Sequence, residues 1–597
     1  MLNRTLAPLR GVSWSWAHAS VLLVGLMWVF PFLHYRHEIP LTTFDQEWWS
    51  AVLGVAAMTL LLSGSFWQQP VVPRIAQLPA LLVVIALVQS ALGRVVYWEQ
   101  GLLYVLYFLF AALLMVLGAR LRANFGIERL ALALAAFLVL GAEMEATTGF
   151  LQHYRWDTWF SGYIIMKINS GVYGNLAQPN HFANYLTLGL ISIGLLYQQR
   201  KLPWPAVVVL VTPLLFVIAL SGSRSPWLYF ITMTVLAWFW VRRDQGMRPL
   251  LKFSIGLLLG HMAMIFIVQL PFLAGSDTMD VSRRMFQDHA SWGIRLYLWK
   301  EAASIFLSSP GLGVGFGQYA VSHMQWLPIL QPHEVTGLYN HAHNLLMQVA
   351  AEAGLSGIVV LLGGLLMWLR GALRGRCTAA HWWGYSAVAV LAIHSCLEYP
   401  LWYAYFVGVL GILMGMLDET HYELELRRLG RLAVGVILLL GATSLWQLER
   451  DYHGLKRALS VPPENGNVLE ARKKTVQGLL DIHIGSLMYP YAQMYLSTFR
   501  EAKVDEYLKQ KIAANMDVMR FAPMPIVVFQ QAILLAMDGQ ADAAKKVLRE
   551  AVWSYPGDVA GYQRLLDLAE QDPARFEPLV EFINQQEEER AGGIHQQ

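Results

Sequence analysis

The sequence predicts an all-α, polytopic membrane protein, on three observations. Hydrophobic residues make up 56% of the 597 and charged residues only 14%, with a mean hydropathy of +0.42. That balance belongs to chains embedded in lipid. The apolar runs are about 17–22 residues long, the length that spans hydrocarbon as helix. Lysine and arginine alternate between two sets of loops, as the positive-inside rule requires of a bundle with fixed orientation.

Thirteen runs follow in order, near 17–33, 48–66, 77–93, 101–118, 129–149, 181–197, 204–221, 226–241, 251–270, 344–369, 382–396, 400–417 and 431–447. The first is a span rather than a cleaved leader, since others follow and no small-residue cleavage pattern comes after it. With thirteen helices, eighteen Lys and Arg fall on one face, among them Arg4, Arg10, Arg74, Arg122, Arg243, Arg370, Arg376, Arg427 and Arg428. The opposite loops carry only Arg36, Arg94, Arg155, Lys167 and Arg224. This asymmetry predicts a cytoplasmic N-terminus, with the long loop and the C-terminal tail both outside. The expected divisions are a first transmembrane bundle of nine helices (1–270), a large outer loop (271–343), four further spans (344–447) and an outer helical domain (448–597).

In the tail, 525–556 fits one tetratricopeptide unit. Ala532 and Gly539 stand at its small positions, Ala544, Leu548 and Ala551 on the packing face, and Pro556 after it; the alternative is an ordinary helical hairpin. Glu587, Glu588 and Glu589 lie in a polar terminus expected to fray. Cys377 and Cys396 fall on opposite faces and cannot pair within one chain. A net charge of +3 with no basic tract gives no reason to expect nucleic acid. The scattered histidines show no metal-ligand spacing, there is no Asp-x-Asp pair, and no Walker loop or dinucleotide fingerprint occurs, so no metal or other cofactor is expected.

Chemistry is expected on the outer face. His343-Asn344 stands where the polar loop meets an apolar run, followed by Gly354 and Gly357. If the helix begins near 343, both glycines lie within about 40° of the histidine's stripe at 100° per residue, where small residues let a neighbouring helix approach. An imidazole there can exchange protons near neutral pH; the alternative is that His343 and Asn344 only cap the helix. His341 points elsewhere and is the weaker candidate. Arg224, in Ser221-Gly222-Ser223-Arg224-Ser225-Pro226, and Arg295, in the long loop, are outward arginines suited to phosphate oxygens, unless they are snorkelling surface residues. The glycine-rich Pro310–Gly317 stretch reads as flexible backbone against the membrane surface, with phosphate contact as the alternative. Gly174-Asn175-Leu176-Ala177-Gln178-Pro179-Asn180-His181, Glu398-Tyr399-Pro400, Glu143 and Glu145 lie near outer ends of spans. They could bind sugar hydroxyls, orient the histidine, or serve as caps and turns.

These blocks resemble the O-antigen ligase superfamily and, within it, bacterial PglL-type protein O-oligosaccharyltransferases. His343-Asn344, nine residues, Gly354, two residues, Gly357 fits the ligase histidine motif. Ser221–Arg224, the Arg295 segment and Pro310-Gly311-Leu312-Gly313 look like its other blocks, and Gly174–His181 looks like the protein-glycosylating branch. The resemblance covers essentially the whole chain. It implies a metal-independent, GT-C-like glycosyltransferase of the Gram-negative inner membrane with its site facing the periplasm. The donor would be an oligosaccharide on a polyprenyl (undecaprenyl) diphosphate, and the acceptor a Ser or Thr of an exported protein such as a type IV pilin. By the same resemblance, His343 is the general base, Arg224 and Arg295 hold the diphosphate, and Gln178 and Tyr399 contribute to the site, with Asn344 and His341 beside them. The alternatives are an O-antigen ligase acting on lipid A core, a repeat-unit polymerase, or a glycolipid transporter. Against the last stand the absence of a visible inverted repeat and the outer, rather than midplane, placing of the polar residues.

Overall fold

The computed structural model describes residues 15–62, 70–167, 171–271, 273, 290–332, 335, 337–375, 377–423, 428–463 and 466–594. Arg4, Arg10, Arg376 and Arg427 of the charge count, and much of 271–289, lie outside them. Each of the thirteen apolar runs contains a helix, with 63–66 of the second run outside the described residues: α1 (Trp16–Met27, continued by a turn at Phe30–Leu33), α2 (Phe44–Leu60), α3 (Gln77–Ala91), α4 (Trp98–Phe125), α5 (Ile127–Tyr154), α6 (Pro179–Gln198), α7 (Trp204–Ser221), α8 (Ser225–Arg243) and α9 (Arg248–Ile267). Two helices follow in the long loop, α10 (Ala290–Ser308) and α11 (Tyr319–Leu330), then α12 (Leu345–Arg374), α13 (Ala379–Ser395), α14 (Ala404–Leu417) and α15 (Arg428–Leu459).

Among the described residues, eight helices are long and apolar enough to cross a membrane on those grounds alone, and this is a multi-pass helical membrane protein. The other five runs, α2, α6, α8, α13 and α14, are shorter or carry more polar residues. Helices α6, α13 and α14 are buried over most of their length. A helix screened from lipid by its neighbours need not be apolar all round, so α6 holds Asn180, His181, Asn184, Thr187 and Ser192. One departure from an all-α fold is a two-stranded antiparallel pair, β1 (Val71–Pro73) with β2 (His421–Glu423).

The centre of the bundle is the crossing of α4 and α14. Gly411 and Gly415 are four apart on α14, and Gly118 faces them from α4; a Cβ at Gly415 would strike the backbone of Met115, and one at Gly118 the backbone of Ile412. Small residues at this spacing let two backbones touch where hydrophobic segregation supplies no drive. Gly415→Val is therefore expected to destabilise the fold by about 1–3 kcal/mol, read as a lower unfolding temperature in detergent. An unchanged midpoint would refute the close crossing.

The two ends of the bundle follow the charge alternation. At one, Arg122 donates to the carbonyls of Met416 (3.0 Å) and Asp418 (3.3 Å). At the other, Arg94 donates to Ser309 Oγ (2.9 Å) and Gly313 O (2.6 Å). Cys377 and Cys396 flank opposite ends of α13 and are both free thiols.

Helix α15 outruns its expected span and enters the tail, where Tyr452 stacks on Phe44 with ring centroids 3.6 Å apart. The tail is seven helices, α16 (Val468–Leu480), α17 (Tyr489–Phe499), α18 (Leu508–Phe521), α19 (Pro525–Met537), α20 (Ala541–Ser554), α21 (Val559–Gln571) and α22 (Pro573–Ile594). The 525–556 unit is the α19–α20 hairpin, with Ala532, Ala544, Leu548 and Ala551 fully buried. Glu587–Glu589 are helical, within α22, rather than frayed. The loop docks on this tail: Met324 of α11 joins its core, Trp553 packs with Leu327 and Val335, and Arg590 donates to Val335 O at 2.8 Å.

Candidate active site

The histidine motif is built around a broken helix. The α12 helix starts at Leu345, not 343, and Gly354 within it is non-helical at φ 63, ψ −155. The backbone groups released there pair with the glycine-rich loop: Leu355 N donates to Pro310 O (2.7 Å) and Ser356 N to Gly311 O (3.2 Å). In return Val314 N donates to Ala351 O and Gly315 N to Glu352 O, both at 3.0 Å. From α3, Gln89 donates to Leu312 O (2.7 Å) and Glu352 O (2.8 Å) and accepts from Phe316 N (3.1 Å). Non-helical backbone at such a position is tolerated only where its polar groups are answered in this way. Two expectations are thereby corrected. Gly354 and Gly357 do not form a stripe for a neighbouring helix: a Cβ at Gly354 would lie 2.6–2.7 Å from backbone atoms of Gly313, Gly311 and Pro310, and one at Gly357 would meet Val349 and Ala353 of its own helix. Nor is Pro310–Gly317 loose backbone, because its hydrogen bonds fill the break.

His343 precedes this helix with a left-handed φ of 50°, a conformation that a non-glycine residue keeps only where its surroundings enforce it. Asn344 is the N-cap: its Oδ1 accepts from Leu346 N (3.0 Å) and Met347 N (3.3 Å), and its amide donates to Cys396 O (3.3 Å). The capping alternative therefore describes Asn344 and not His343.

The His343 side chain, 21% exposed, is held by Glu398, 4% exposed, with Nδ1 3.0 Å from Oε2. The other carboxylate oxygen, Oε1, accepts from Arg295 Nη2 (2.8 Å) and from Asn180 Nδ2 (2.7 Å). Asn180 Oδ1 in turn accepts from Ser223 Oγ at 2.7 Å, which ties the Ser221–Pro226 turn to the cluster through Ser223, the residue before Arg224. Gly222 makes that turn at φ 67, while Ser221 Oγ accepts from Ser223 N at 3.2 Å.

Burial by itself pushes the Glu398 carboxyl up. The hydrogen bond from His343, with the charges of His343 and Arg295, outweighs burial and holds it down at about 2. An ionised carboxylate can only accept, so Nδ1 of His343 carries a proton, and in the uncharged ring the lone pair is left on Nε2. A depressed carboxylate stabilises the fold above its ordinary 4.5, and that stability is lost as pH falls through about 2. Glu398→Gln is thus expected to be less stable than wild type at pH 7 by about 3 kcal/mol, the gap closing between about pH 4.5 and 2. Unfolding midpoints of both proteins across that range test it, and a gap that does not change with pH counts against it.

Tyr399 stacks on His341 (centroids 4.3 Å, planes 11° apart) and meets His343 edge-on at 5.2 Å. Burial, reinforced by the His343 charge and opposed by Glu398, pushes His341 down to about 3, so it is an uncharged ring beside the site. Gln178 caps α6, accepting from His181 N at 2.6 Å. The turn before it is pinned by Glu145, whose Oε1 accepts from Asn175 N (2.7 Å) and Leu176 N (3.3 Å). Glu145 therefore shapes the Gln178 block and does not orient the histidine.

Glu398, Asn180 and Ser223 are the members that sequence alone did not single out. Each stood inside a quoted block, and Glu398 was among the groups that could orient the histidine. Fifty-five residues separate it from His343, and no spacing rule joins them.

One histidine, one carboxylate and an arginine thus meet at one end of the helical bundle of a multi-pass membrane protein. The chain is similar to the O-antigen ligase superfamily and to its protein-glycosylating branch. Residues 208–362 match the family described as O-Antigen ligase, 172–197 that described as Protein glycosylation ligase, and 382–566 that described as Virulence factor membrane-bound polymerase, C-terminal. The chain is 27% identical over 467 residues to a general O-oligosaccharyltransferase of Acinetobacter baylyi, covering 75% of this chain and 78% of the relative. It is 22% identical over 253 residues to a ComP-specific O-oligosaccharyltransferase of the same organism, covering 42% and 44%.

Proposed function

We propose that this chain is a protein O-oligosaccharyltransferase of the Gram-negative inner membrane. It moves an oligosaccharide en bloc from a polyprenyl diphosphate to a Ser or Thr hydroxyl of an exported protein such as a type IV pilin, on the periplasmic face. The observation that carries the reading is the single buried carboxylate joining Arg295 to His343 at the end of the bundle that the charge pattern puts outside.

Nε2 of His343 takes the acceptor hydroxyl's proton as that oxygen attacks the anomeric carbon. The bond from that carbon to the phosphate oxygen breaks, its electron pair going to the diphosphate. Arg224 and Arg295 stand as fixed positive charge where the leaving group gathers negative charge, so no metal is required. A direct displacement inverts the anomeric centre. Tyr399 holds the His341–His343 segment, and Gln178 fixes the start of α6 behind Asn180. The polyprenyl tail stays in the bilayer. Of the four expected divisions, 1–270 and 344–447 form the bundle in this reading, 271–343 the cover that carries Arg295, and 448–597 the outer helical domain.

The match of 382–566 to a polymerase family favours one second reading, a repeat-unit polymerase, in which the acceptor is another lipid-linked glycan. Co-expression in a host lacking its own ligases, with a lipid-linked glycan pool and a candidate pilin, separates the two. Intact-mass spectra of the pilin should gain one glycan. Lengthened lipid-linked glycan with an unmodified pilin supports the polymerase, and glycan on lipid A core supports a ligase.

A further inference from the structure

We propose that Glu398 couples donor binding to the base. Its carboxylate holds Arg295 and His343 together, and the donor diphosphate takes Arg295 from it, leaving Glu398 to serve His343. The inference rests on the reading of Arg295 as a diphosphate ligand.

The geometry sets up a competition. Arg295, the side chain that must meet the incoming anion, already spends Nη2 on Glu398 Oε1 at 2.8 Å. A diphosphate offers several oxygens and more than one negative charge, so the guanidinium fork gains by exchanging one carboxylate oxygen for it. The exchange does not orphan the carboxylate, which would otherwise be costly. Oε1 keeps Asn180 Nδ2 at 2.7 Å, and Asn180 is itself fixed by Ser223 Oγ at 2.7 Å. Oε2 keeps His343 Nδ1 at 3.0 Å.

Before the exchange Glu398 divides its charge between a guanidinium and an imidazole. Afterwards the whole charge faces Nδ1–H and steadies the imidazolium that forms when the hydroxyl proton reaches Nε2. That proton leaves to water after the product departs. The base is therefore strongest only with donor in place. Glu398 acts here as a positioning residue, since it touches neither donor nor acceptor.

Linkage makes the idea measurable, because a group displaced by a ligand must oppose that ligand's binding. The full-length protein in nanodiscs is titrated with undecaprenyl diphosphate lacking glycan, and transfer is timed separately with the loaded donor. Glu398→Gln, which removes the competing charge, is expected to bind the diphosphate about fivefold or more tightly. Its turnover is expected to fall about 10²–10⁴-fold, because the amide N–H facing Nδ1 moves the ring proton to Nε2. Glu398→Asp keeps the competitor, so turnover falls while diphosphate binding stays at the wild-type level.

Unchanged or weaker binding by Glu398→Gln overturns the exchange, since a merely structural role would lower binding and turnover together. If that variant does not fold, wild type imaged with undecaprenyl diphosphate decides. An Arg295–Glu398 separation opened beyond hydrogen-bond reach supports the proposal, and an intact bond overturns it. Wild type with no affinity for undecaprenyl diphosphate defeats the donor assignment itself, and the exchange with it.

Discussion

Replacing His343 by alanine is expected to slow glycan transfer by about 10²–10⁴-fold while leaving the protein folded. The side chain sits at the mouth of the bundle, one-fifth exposed, so its removal opens no core cavity. Glu398 retains Arg295 and Asn180 as donors, which limits the cost of the lost partner. What disappears, in the proposed mechanism, is the lone pair at Nε2 that would receive the acceptor proton. Single-turnover transfer followed by the intact mass of the acceptor measures the rate, and donor binding measured in parallel should persist. A rate close to that of wild type would remove His343 from the chemistry. His341→Phe, which preserves the stack on Tyr399, is expected to slow transfer far less, because that ring packs and does not exchange protons.

Gly354→Val is expected to be the most damaging single change to the fold. The position combines φ 63 with ψ −155, a region essentially closed to other residues, which costs about 1–3 kcal/mol. Overpacking against fixed neighbours adds about 1–3 kcal/mol more, and the neighbours here are backbone atoms of Gly313, Gly311 and Pro310. Relief requires expelling the loop, which strands the carbonyls of Ala351 and Glu352 and the amides of Leu355 and Ser356. Unfolding in detergent should shift by about 2–6 kcal/mol, and limited proteolysis should open the 309–317 segment. A variant with wild-type stability and a protected loop would show that the helix break is not held in this way.

Apolar run length located a helix in each of the thirteen runs, eight of them long and apolar enough to cross a membrane, because the requirement to cross hydrocarbon acts locally along the chain. It was least informative for α6, α13 and α14, whose surroundings are other helices rather than lipid. Polar residues such as His181, Asn184 and His394 are admitted there by tertiary contact. The loop helices α10 and α11 were missed for a related reason: residues such as Leu298, Ala302, Tyr319 and Met324 are buried by the bundle and tail, against partners a short window cannot see. In the site, His343, Arg295, Tyr399 and Gln178 were legible because each stands in a block with its own pattern. Their relation was not. Glu398 reaches three of the site's elements from a turn whose residues suit capping as well as chemistry. Gly354 looked like a packing residue because helical spacing presumes a continuous helix, and the break is set by a loop some forty positions earlier.

The paired break and loop have a consequence for anyone recombining relatives of this protein. Residues 309–317 and 343–357 are far apart in the chain but share one set of backbone hydrogen bonds, so they behave as a single cassette. A chimera whose crossover falls between them joins a loop from one parent to a helix start from the other, and puts the mismatch a few residues below the histidine. Crossovers before 290 or after 360 keep the cassette intact. Exchanges are best placed in the tail, after Glu398, which leaves the cassette and its partners Asn180, Ser223 and Glu398 in one parent's sequence.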